Sequence, residues 1–263
     1  AAVTPVARAE LVGSVVTAFA TMLNPAAVPA TGCRPTVPPG TPAAFSYYAY
    51  DAVTTVISPR DAPVNIRAGA RQDFLLEFKP GTAATTDIAM IFDCTNTEPA
   101  PSYRGVNTFL LTGVNGPKPA DIITVAATVS GDGIMNVPLS GTGVVALAAR
   151  NIGTAAALQL HLTPNPIGPA SPALPGTITV CPTNQNGICQ SPPAAPPLGV
   201  LVGAGQTMTF SAFFRSNGTA IPFDPANRRL FVHFFQGFTP VGSTSVAVRT
   251  VSADRRARGT ASR

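Results

Sequence analysis

The feature that most constrains this chain is its rhythm of short apolar runs separated by proline, glycine and asparagine. The runs are rich in Val, Ile, Phe and Thr, and they recur along most of the sequence. Such spacing is typical of β-sandwich proteins, in which short strands alternate with tight turns. The sequence therefore predicts an all-β fold, with strands in 44–57, 70–80, 87–94, 105–114, 121–130, 144–153, 157–163, 176–182, 206–215, 228–235 and 243–251.

Composition agrees with this prediction and restricts the classes of function that the chain can have. Charged residues make up 11% of the chain and hydrophobic residues 45%. A coiled coil needs far more Glu, Lys and Arg, and a chain this apolar can bury a core instead of remaining disordered. Trp is absent and there are only two His residues, so few side chains can move protons or bind metals. The composition therefore disfavours an enzyme.

A weak internal repeat relates two parts of the chain. The shared residues are Gly69, Phe74 and Phe78 in one copy and Gly205, Phe210 and Phe214 in the other. All three recur at the same offset of 136 residues. That offset fits a domain slightly longer than an immunoglobulin module, and chance similarity between β sequences is the alternative.

The boundary between the copies is predicted in a short segment rich in turn-forming residues. The stretch NGPKPAD at 115–121 has two prolines and little to bury. We therefore predict two tandem immunoglobulin-like β-sandwich domains at 1–114 and 122–251, joined by a linker at 115–121 and followed by a basic tail at 252–263.

The N-terminal segment 7–23 is the one place where a helix competes with a strand. Its Val15–Thr17 cluster and Gly13 favour a strand, because β-branched residues and glycine lower helix propensity. A strand that follows a flexible start also suggests a hypothesis for assembly. Segment 7–23 would pair with the sheet of another copy.

The cysteines predict the compartment. Cys181 and Cys189 bracket a loop of Pro, Asn and Gly that brings two sulfurs together, which leaves Cys33 to pair with Cys94. The sequence has no CxxC motif and no closely spaced pair of His residues, so it does not predict a metal site. Two disulfides indicate an oxidising compartment, and the predicted location is secreted or at the cell surface, with the periplasm as the alternative.

Both ends of the chain carry further signals. The first residues, AAVTPVARAE, fit a mature end left by signal-peptide cleavage, and no apolar run approaches 18 residues. The net charge is +5, and the basic excess is greatest at the C-terminus, in Arg249, Arg255, Arg256, Arg258 and Arg263. This tail is either a solvated terminus or a contact for an anionic partner or a neighbouring subunit. No basic stripe interleaved with aromatic residues predicts nucleic-acid binding.

Several strings of the sequence resemble an uncharacterised β-sandwich module of proteins secreted by proteobacteria. They are GDGIMNVPLSGTGVVALAARNIGT (131–154), VCPTNQNGICQ (180–190), IPFDPANRRLFVHF (221–234) and GSTSVAVRT (242–250), preceded by DFLLEFKPG (73–81), FDCTNTEPAP (92–101) and GVNTFLL (105–111). The resemblance covers most of 65–250. It implies an extracytoplasmic β-rich module and no activity. PLSGTG (138–143) is more loosely similar to immunoglobulin-like surface repeat domains.

The search for catalytic chemistry gives weak candidates. His161 and His233 both lie within predicted strands, whereas catalytic residues concentrate on loops. There is no GxSxG turn and no cofactor motif. A hydrolase remains a third interpretation, and it requires a cleft that brings either histidine next to a carboxylate. We predict no catalytic, cofactor-binding or metal-binding residues.

The predicted function is a secreted or surface structural protein that associates with protein partners, as a homo-oligomer or part of a larger assembly. A chain so poor in Lys and Glu lacks the usual protection of sheet edges. The phenylalanines of the second half are expected on both faces of their strands. One face would pack the core, and the other would meet the first domain or another subunit, unless all of them lie within one core.

The alternative function is a ligand-binding module for carbohydrate or a cell-envelope partner. Tyr47, Tyr48 and Tyr50 form its candidate platform, and the absence of Trp counts against it. Together with Arg255, Arg256 and Arg258 of the tail, these tyrosines are the candidate interaction residues.

Overall fold

A computed structural model describes residues 1–51, 54–164 and 174–251, and the described residues form strands and no helix. The first half contains β1 (Ala2–Thr4), β2 (Ala7–Leu11), β3 (Val16–Leu23), β4 (Ala30–Thr36), β5 (Ala43–Tyr50), β6 (Val64–Ile66), β7 (Arg71–Pro80), β8 (Thr85–Ala89), β9 (Ile91–Asp93) and β10 (Thr108–Val114). The second half contains β11 (Ile122–Thr128), β12 (Ile134–Pro138), β13 (Thr142–Asn151), β14 (Ala156–Thr163), β15 (Gly176–Pro182), β16 (Leu198–Val202), β17 (Thr207–Ser216), β18 (Arg229–Gln236) and β19 (Thr239–Val251). The all-β prediction is confirmed.

The two halves repeat one arrangement of strands. The first layer has the order β1-β3-β7-β5 in one half and β11-β13-β17-β15 in the other. The second layer of the second half has the order β12-β19-β18-β14-β16. Its counterpart is built from the sheets β2-β10-β8 and β6-β4-β9, which meet where β8 is followed by β9 with only Met90 between them.

The connections repeat as well. In both halves the second layer includes one parallel pair, β2 with β10 and β12 with β19, while the other pairs are antiparallel. The chain then crosses between layers in the same sequence, from β4 to β5 to β6 and from β14 to β15 to β16. The division of the chain into two independent domains stays a prediction.

The repeat noticed in the sequence falls on equivalent central strands. β7 and β17 begin 136 residues apart and share the same alternation of buried and exposed positions. Gly69 and Gly205 precede them in the left-handed conformation, at φ values of 66° and 71°. That conformation is open to glycine and costly for other residues. Glycine therefore recurs because the turn into each central strand requires it.

Strand alternation builds a separate core in each half. Phe74, Leu76 and Phe78 on one face of β7 are fully buried, and Phe210 and Phe214 take equivalent places in β17. Because successive side chains of a strand point to opposite faces, the intervening residues of both strands lie on the outer face of their sheet.

The N-terminal segment 7–23 forms two strands, β2 and β3. The chain turns between them at Gly13, where φ is 85°. The two strands pair with β10 and β7 of the same chain. The donation of this segment to another copy is therefore not what the structure shows, since its backbone groups already have partners within the chain.

The linker predicted at 115–121 stays a prediction, and its C-terminal end lies against the second half. Ala120 and Asp121 are 0% and 1% exposed, so this end of the segment is packed instead of free. Five strands were not predicted from the sequence, namely β1, β4, β6, β12 and β16. They are short or interrupted by proline and glycine, and they form because tertiary pairing overrides weak local propensity.

A buried asparagine fixes the same corner in both halves. Asn24 follows β3 and Asn151 ends β13, and the two residues are 6% and 0% exposed. The Asn24 backbone N–H donates to the Ala70 carbonyl, and that of Asn151 donates to the Gln206 carbonyl, each at 2.9 Å. The side-chain oxygen of each accepts a backbone N–H two residues further on. Each side chain thus replaces backbone partners where a strand ends.

We expect Asn151→Ala to lower the free energy of unfolding by roughly 3 kcal/mol, because several buried backbone groups lose their partner. Urea denaturation followed by circular dichroism measures this change. Asn186→Ala is the control, since Asn186 is exposed and its side chain has no hydrogen bond. Equal stability of the two variants would contradict the role given to Asn151.

Candidate functional site: the junction and the exposed sheet faces

The two halves meet where β2 lies against β11 and β19. Ala9 of β2 is fully buried and belongs to the core of the second half, although its strand pairs with β10 of the first. Beside it, the Arg8 guanidinium lies 2.8 Å from the Asp121 carboxylate. The other carboxylate oxygen of Asp121 accepts the Ala9 backbone N–H at 3.2 Å. β2 is therefore held by both halves.

The ion pair between Arg8 and Asp121 is largely buried. The side chains of Arg8 and Asp121 are 11% and 2% exposed. Burial raises the pKa of Asp121, while the charge and hydrogen bonds of Arg8 oppose that shift. A second ion pair joins the Lys118 ammonium to the Glu10 carboxylate at 2.9 Å. Because removal of one member leaves a buried charge without compensation, such pairs fix geometry more than they add stability.

A second contact of the junction is built around Ser245 of β19. Its hydroxyl donates to the carbonyl of Gly105 at 2.9 Å and accepts from Nε of Arg229 at 3.0 Å. Arg229 is 8% exposed, and burial lowers its pKa to about 10. Its guanidinium also donates to the carbonyls of Pro225 and Ser245. A chain of hydrogen bonds thus links the two halves through Ser245.

The cavity at this junction bears on the hydrolase interpretation. Nδ1 of His233 lies 2.9 Å from the Ser243 hydroxyl, and Asp87 lines the same cavity. Burial raises the pKa of Asp87, and a hydrogen bond from Thr108 and the charge of Arg104 oppose that shift. The cavity has a volume of only about 20 Å³, the space of a single water molecule. The group resembles a catalytic constellation in composition, and the cavity beside it is the size of one water molecule.

The sequence did not reveal that the two histidines are neighbours. His161 and His233 are directly opposite each other on β14 and β18. Phe235 lies beside both rings, at 5.0 Å from His161 and 6.1 Å from His233. Only the strand register brings these residues together, and no sequence motif indicates it. No group of three or more metal-ligating side chains occurs among the described residues.

The cysteines form two disulfides in the pairing expected from the sequence, Cys33 with Cys94 and Cys181 with Cys189. The first joins β4 to the residue after β9, which are neighbours in one sheet. The second closes a loop that turns back onto β15 through the Gln190 N–H and the Pro182 carbonyl. Disulfides persist in oxidising compartments, so both are consistent with an extracytoplasmic protein.

The three tyrosines of the platform predicted in β5 do not share one face of the sheet. Tyr47 is 3% exposed and points into the core, where its hydroxyl donates to the Asp61 carbonyl. Tyr48 and Tyr50 alternate with it and lie on the outer face of the sheet. Phe19 of β3 joins them there, 45% exposed and with its ring 6.1 Å from that of Tyr50. The sequence missed Phe19 because the strand pairing that places it there is not local.

The phenylalanines of the second half divide as strand alternation requires. The core contains Phe210, Phe214 and Phe234. Phe231 points the other way and is buried at the junction, where it faces Gly105. Phe213 remains half-buried on the outer face of the first layer. One face therefore packs the core of the second half while part of the other meets the first half.

The predicted basic tail at 252–263 lies outside the described residues, which end at 251. Arg255, Arg256 and Arg258 belong to that part. Arg249 precedes it and is held in place, because its Nε donates to the Asn136 side chain at 2.7 Å and its guanidinium lies over the Phe223 ring. In the described part of the chain, no helix is long and apolar enough to cross a membrane.

Comparisons with known proteins give no assignment. No protein-family model and no curated protein matches the chain. A secreted serine protease, VesC from Vibrio cholerae, is similar over 94% of this chain and 50% of its own, with 8% identity and a TM-score of 0.27. The C-terminal domain of the AgI/II polypeptide BspA from Streptococcus agalactiae is similar over 93% and 95%, with 12% identity and a TM-score of 0.25.

A third similarity is to a structure described as a chaperone-tip adhesin complex of CFA/I fimbriae. It covers 95% of this chain and 98% of the other, with 9% identity and a TM-score of 0.23. The chain spans half the length of the VesC structure. TM-scores this low carry no argument about function.

The junction gives a test at Gly105. Its φ is 68°, and a Cβ there would lie 2.6 Å from the Ser245 hydroxyl and 2.9 Å from the Phe231 ring. We expect Gly105→Ala to lower the melting temperature more than Gly116→Ala does. Gly116 also has a positive φ, 94°, but has open space around it. The control thus carries only the backbone cost, about 1 kcal/mol. Equal losses would show that the Ser245 contact is unimportant.

Proposed function

We propose that this chain is an extracytoplasmic, non-catalytic structural protein that associates with other protein chains through uncharged sheet edges and apolar faces. The observation that carries the proposal is the distribution of charge. Residues 151–214 contain no Asp, Glu, Lys or Arg. They include β14, β15 and β16 entirely and β17 up to its last two residues.

Uncharged sheet edges are unusual on isolated soluble proteins. Native sheets protect their edges with lysine, with proline or with covering loops, because free backbone groups recruit other strands. β16 ends its sheet, and among the described residues its hydrogen-bonded neighbour is β14 alone. Leu201 on this strand is 81% exposed. A surface of this kind is typical of a protein whose neighbours cover it.

Two further observations support a structural role in an oxidising compartment. One disulfide joins β4 to the residue after β9, and the other closes the loop from Cys181 to Cys189. The histidine–serine pair lines a small cavity of about 20 Å³, and Ser245 nearby at the junction links the two halves through the Gly105 carbonyl. These residues therefore support a role in holding the fold together.

The proposal predicts that the purified oxidised chain self-associates. We expect its mass by light scattering to exceed 26.8 kDa and to rise with concentration, because association follows mass action. Light scattering and sedimentation velocity from about 1 µM to about 1 mM provide two independent measurements of this mass. A chain that stays at 26.8 kDa over this range would reject self-association.

A second candidate function is the binding of a glycan at the outer face of β3, β7 and β5. Phe19, Leu75 and Tyr48 form one row across these strands, and Thr21, Asp73 and Tyr50 form the next. Aromatic rings beside hydrogen-bonding groups are suited to ligands with an apolar face and a polar rim. Only the first half has this face, since Thr209 and Ser211 occupy the equivalent positions of β17.

For this candidate we expect Tyr50→Ala to reduce binding to a glycan array at least about tenfold, as loss of one aromatic contact typically does. Tyr103→Ala is the matched control, because Tyr103 is 41% exposed and lies away from this face. Absence of binding by the unmodified chain, or equal losses in the two variants, would exclude the face as a glycan site.

A further inference from the structure

β16 is a short edge strand with the sequence LGVLV, which contains neither charge nor proline. Two other edges of the described sheets, those of β15 and β5, are covered. The β15 edge is bridged by Ala194, which exchanges two backbone hydrogen bonds with Val180. The β5 edge is covered by residues 58–61, whose N–H groups reach the carbonyls of Tyr47 and Ala49. β16 has no such cover among the described residues.

Two grooves lie along β16. One has a volume of about 620 Å³ and is bounded by β16, the start of β17 and the loop closed by the Cys181–Cys189 disulfide. The other has a volume of about 310 Å³ and is lined by Ala157, Gln159, Gly199, Leu201 and Gly237. Because side chains alternate between faces, a strand added to β16 would place alternate residues in each groove.

We propose that the added strand is β16 of a second copy, paired antiparallel about a two-fold axis at Val200. This inference rests on the proposed function and names the surface that it uses. In that register Gly199 of each copy lies opposite Leu201 of the other, and Leu198 lies opposite Val202. Residues directly opposite each other point to the same face. Leu201, which is 81% exposed, thus lies over the residue that has no side chain.

The space around Gly199 supports this complementarity. The nearest heavy atom to a Cβ at this position would be the Gln159 side-chain nitrogen, 3.9 Å away, so the site is open. Leucine from a second copy fits there without displacing any backbone. One strand therefore carries both the projecting side chain and the gap that receives it, as a two-fold interface requires.

Charge favours the same occupant. The chain has a net charge of +5, yet the region from 151 to 214 has no ionised Asp, Glu, Lys or Arg. Two copies that meet along β16 bring no like charges together at this edge and remove no ion from water there. The two five-stranded sheets become one continuous sheet, and the two-fold symmetry closes the assembly as a dimer.

The test uses the full oxidised chain and single cysteines on β16. We expect Val200→Cys to form an intermolecular disulfide, because the axis places the two Val200 Cα atoms about 4.5–5.5 Å apart. Gly199→Cys is the matched control one residue away, and it should not cross-link because it faces Leu201. Non-reducing electrophoresis after mild oxidation distinguishes the two variants. Cross-linking of Gly199→Cys without Val200→Cys would overturn the register.

A second variant tests the energetics. We expect Leu201→Lys to raise the dimer dissociation constant at least about tenfold, because it places a charge over Gly199 of the other copy, where no group of opposite charge lies on β16. Val129→Lys is the control, since Val129 is 89% exposed in the turn after β11, away from this edge. Circular dichroism verifies that both variants fold.

The outcomes separate this inference from the proposed function. A chain that associates normally with Leu201→Lys, and whose Val200→Cys variant does not cross-link, overturns the β16 dimer and leaves the structural role intact. A chain that remains a monomer at every concentration overturns both. Cross-linking at Val200 together with weakened association of Leu201→Lys supports the dimer.

Discussion

The arrangement of the two halves depends on the contact between Arg8 and Asp121. Asp121 precedes the first strand of the second half, and Arg8 lies on a strand that pairs within the first half. Because the carboxylate also accepts the Ala9 N–H, its position fixes the backbone of β2 as well as its side chain. Loss of one partner of a buried pair typically costs about 3–5 kcal/mol. A buried polar contact therefore fixes the position of β2 between the two halves.

The duplicated arrangement explains why parts of this fold follow from the sequence and others do not. The alternation in β7 and β17 is strong, so their strands and buried phenylalanines could be predicted from periodicity alone. β16 lies among proline and glycine residues and becomes a strand only through pairing with β14. Tyr47 lies in the core and not on the predicted platform, because adjacent tyrosines of one strand point to opposite faces.

The junction and its candidate site were beyond sequence reasoning for a different reason. His161 and His233 are separated by a long stretch of chain and become neighbours through strand register. Ser243 and Asp87 join His233 through sheet pairing and through the packing of the two halves, respectively. Such contacts depend on tertiary geometry, which a single sequence does not encode in any local pattern. The polar residues of segment 115–121 likewise do not reveal that Asp121 has a buried partner in Arg8.

Two copies of one scaffold here carry different surfaces. The outer face of the first half has the aromatic rings of Phe19 and Tyr50 together with the carboxylates of Asp73 and Glu77. On the equivalent central strand of the second half, Thr209, Ser211 and Phe213 take the outer positions, and no charge occurs from 151 to 214. Because both cores are built alike, the difference is confined to residues that do not determine the fold. Selection for stability therefore does not explain it. A charge-free surface fastened by a disulfide loses little hydration and little conformational freedom when another sheet covers it, so this distribution of charge supports the proposal that the second half makes the contact.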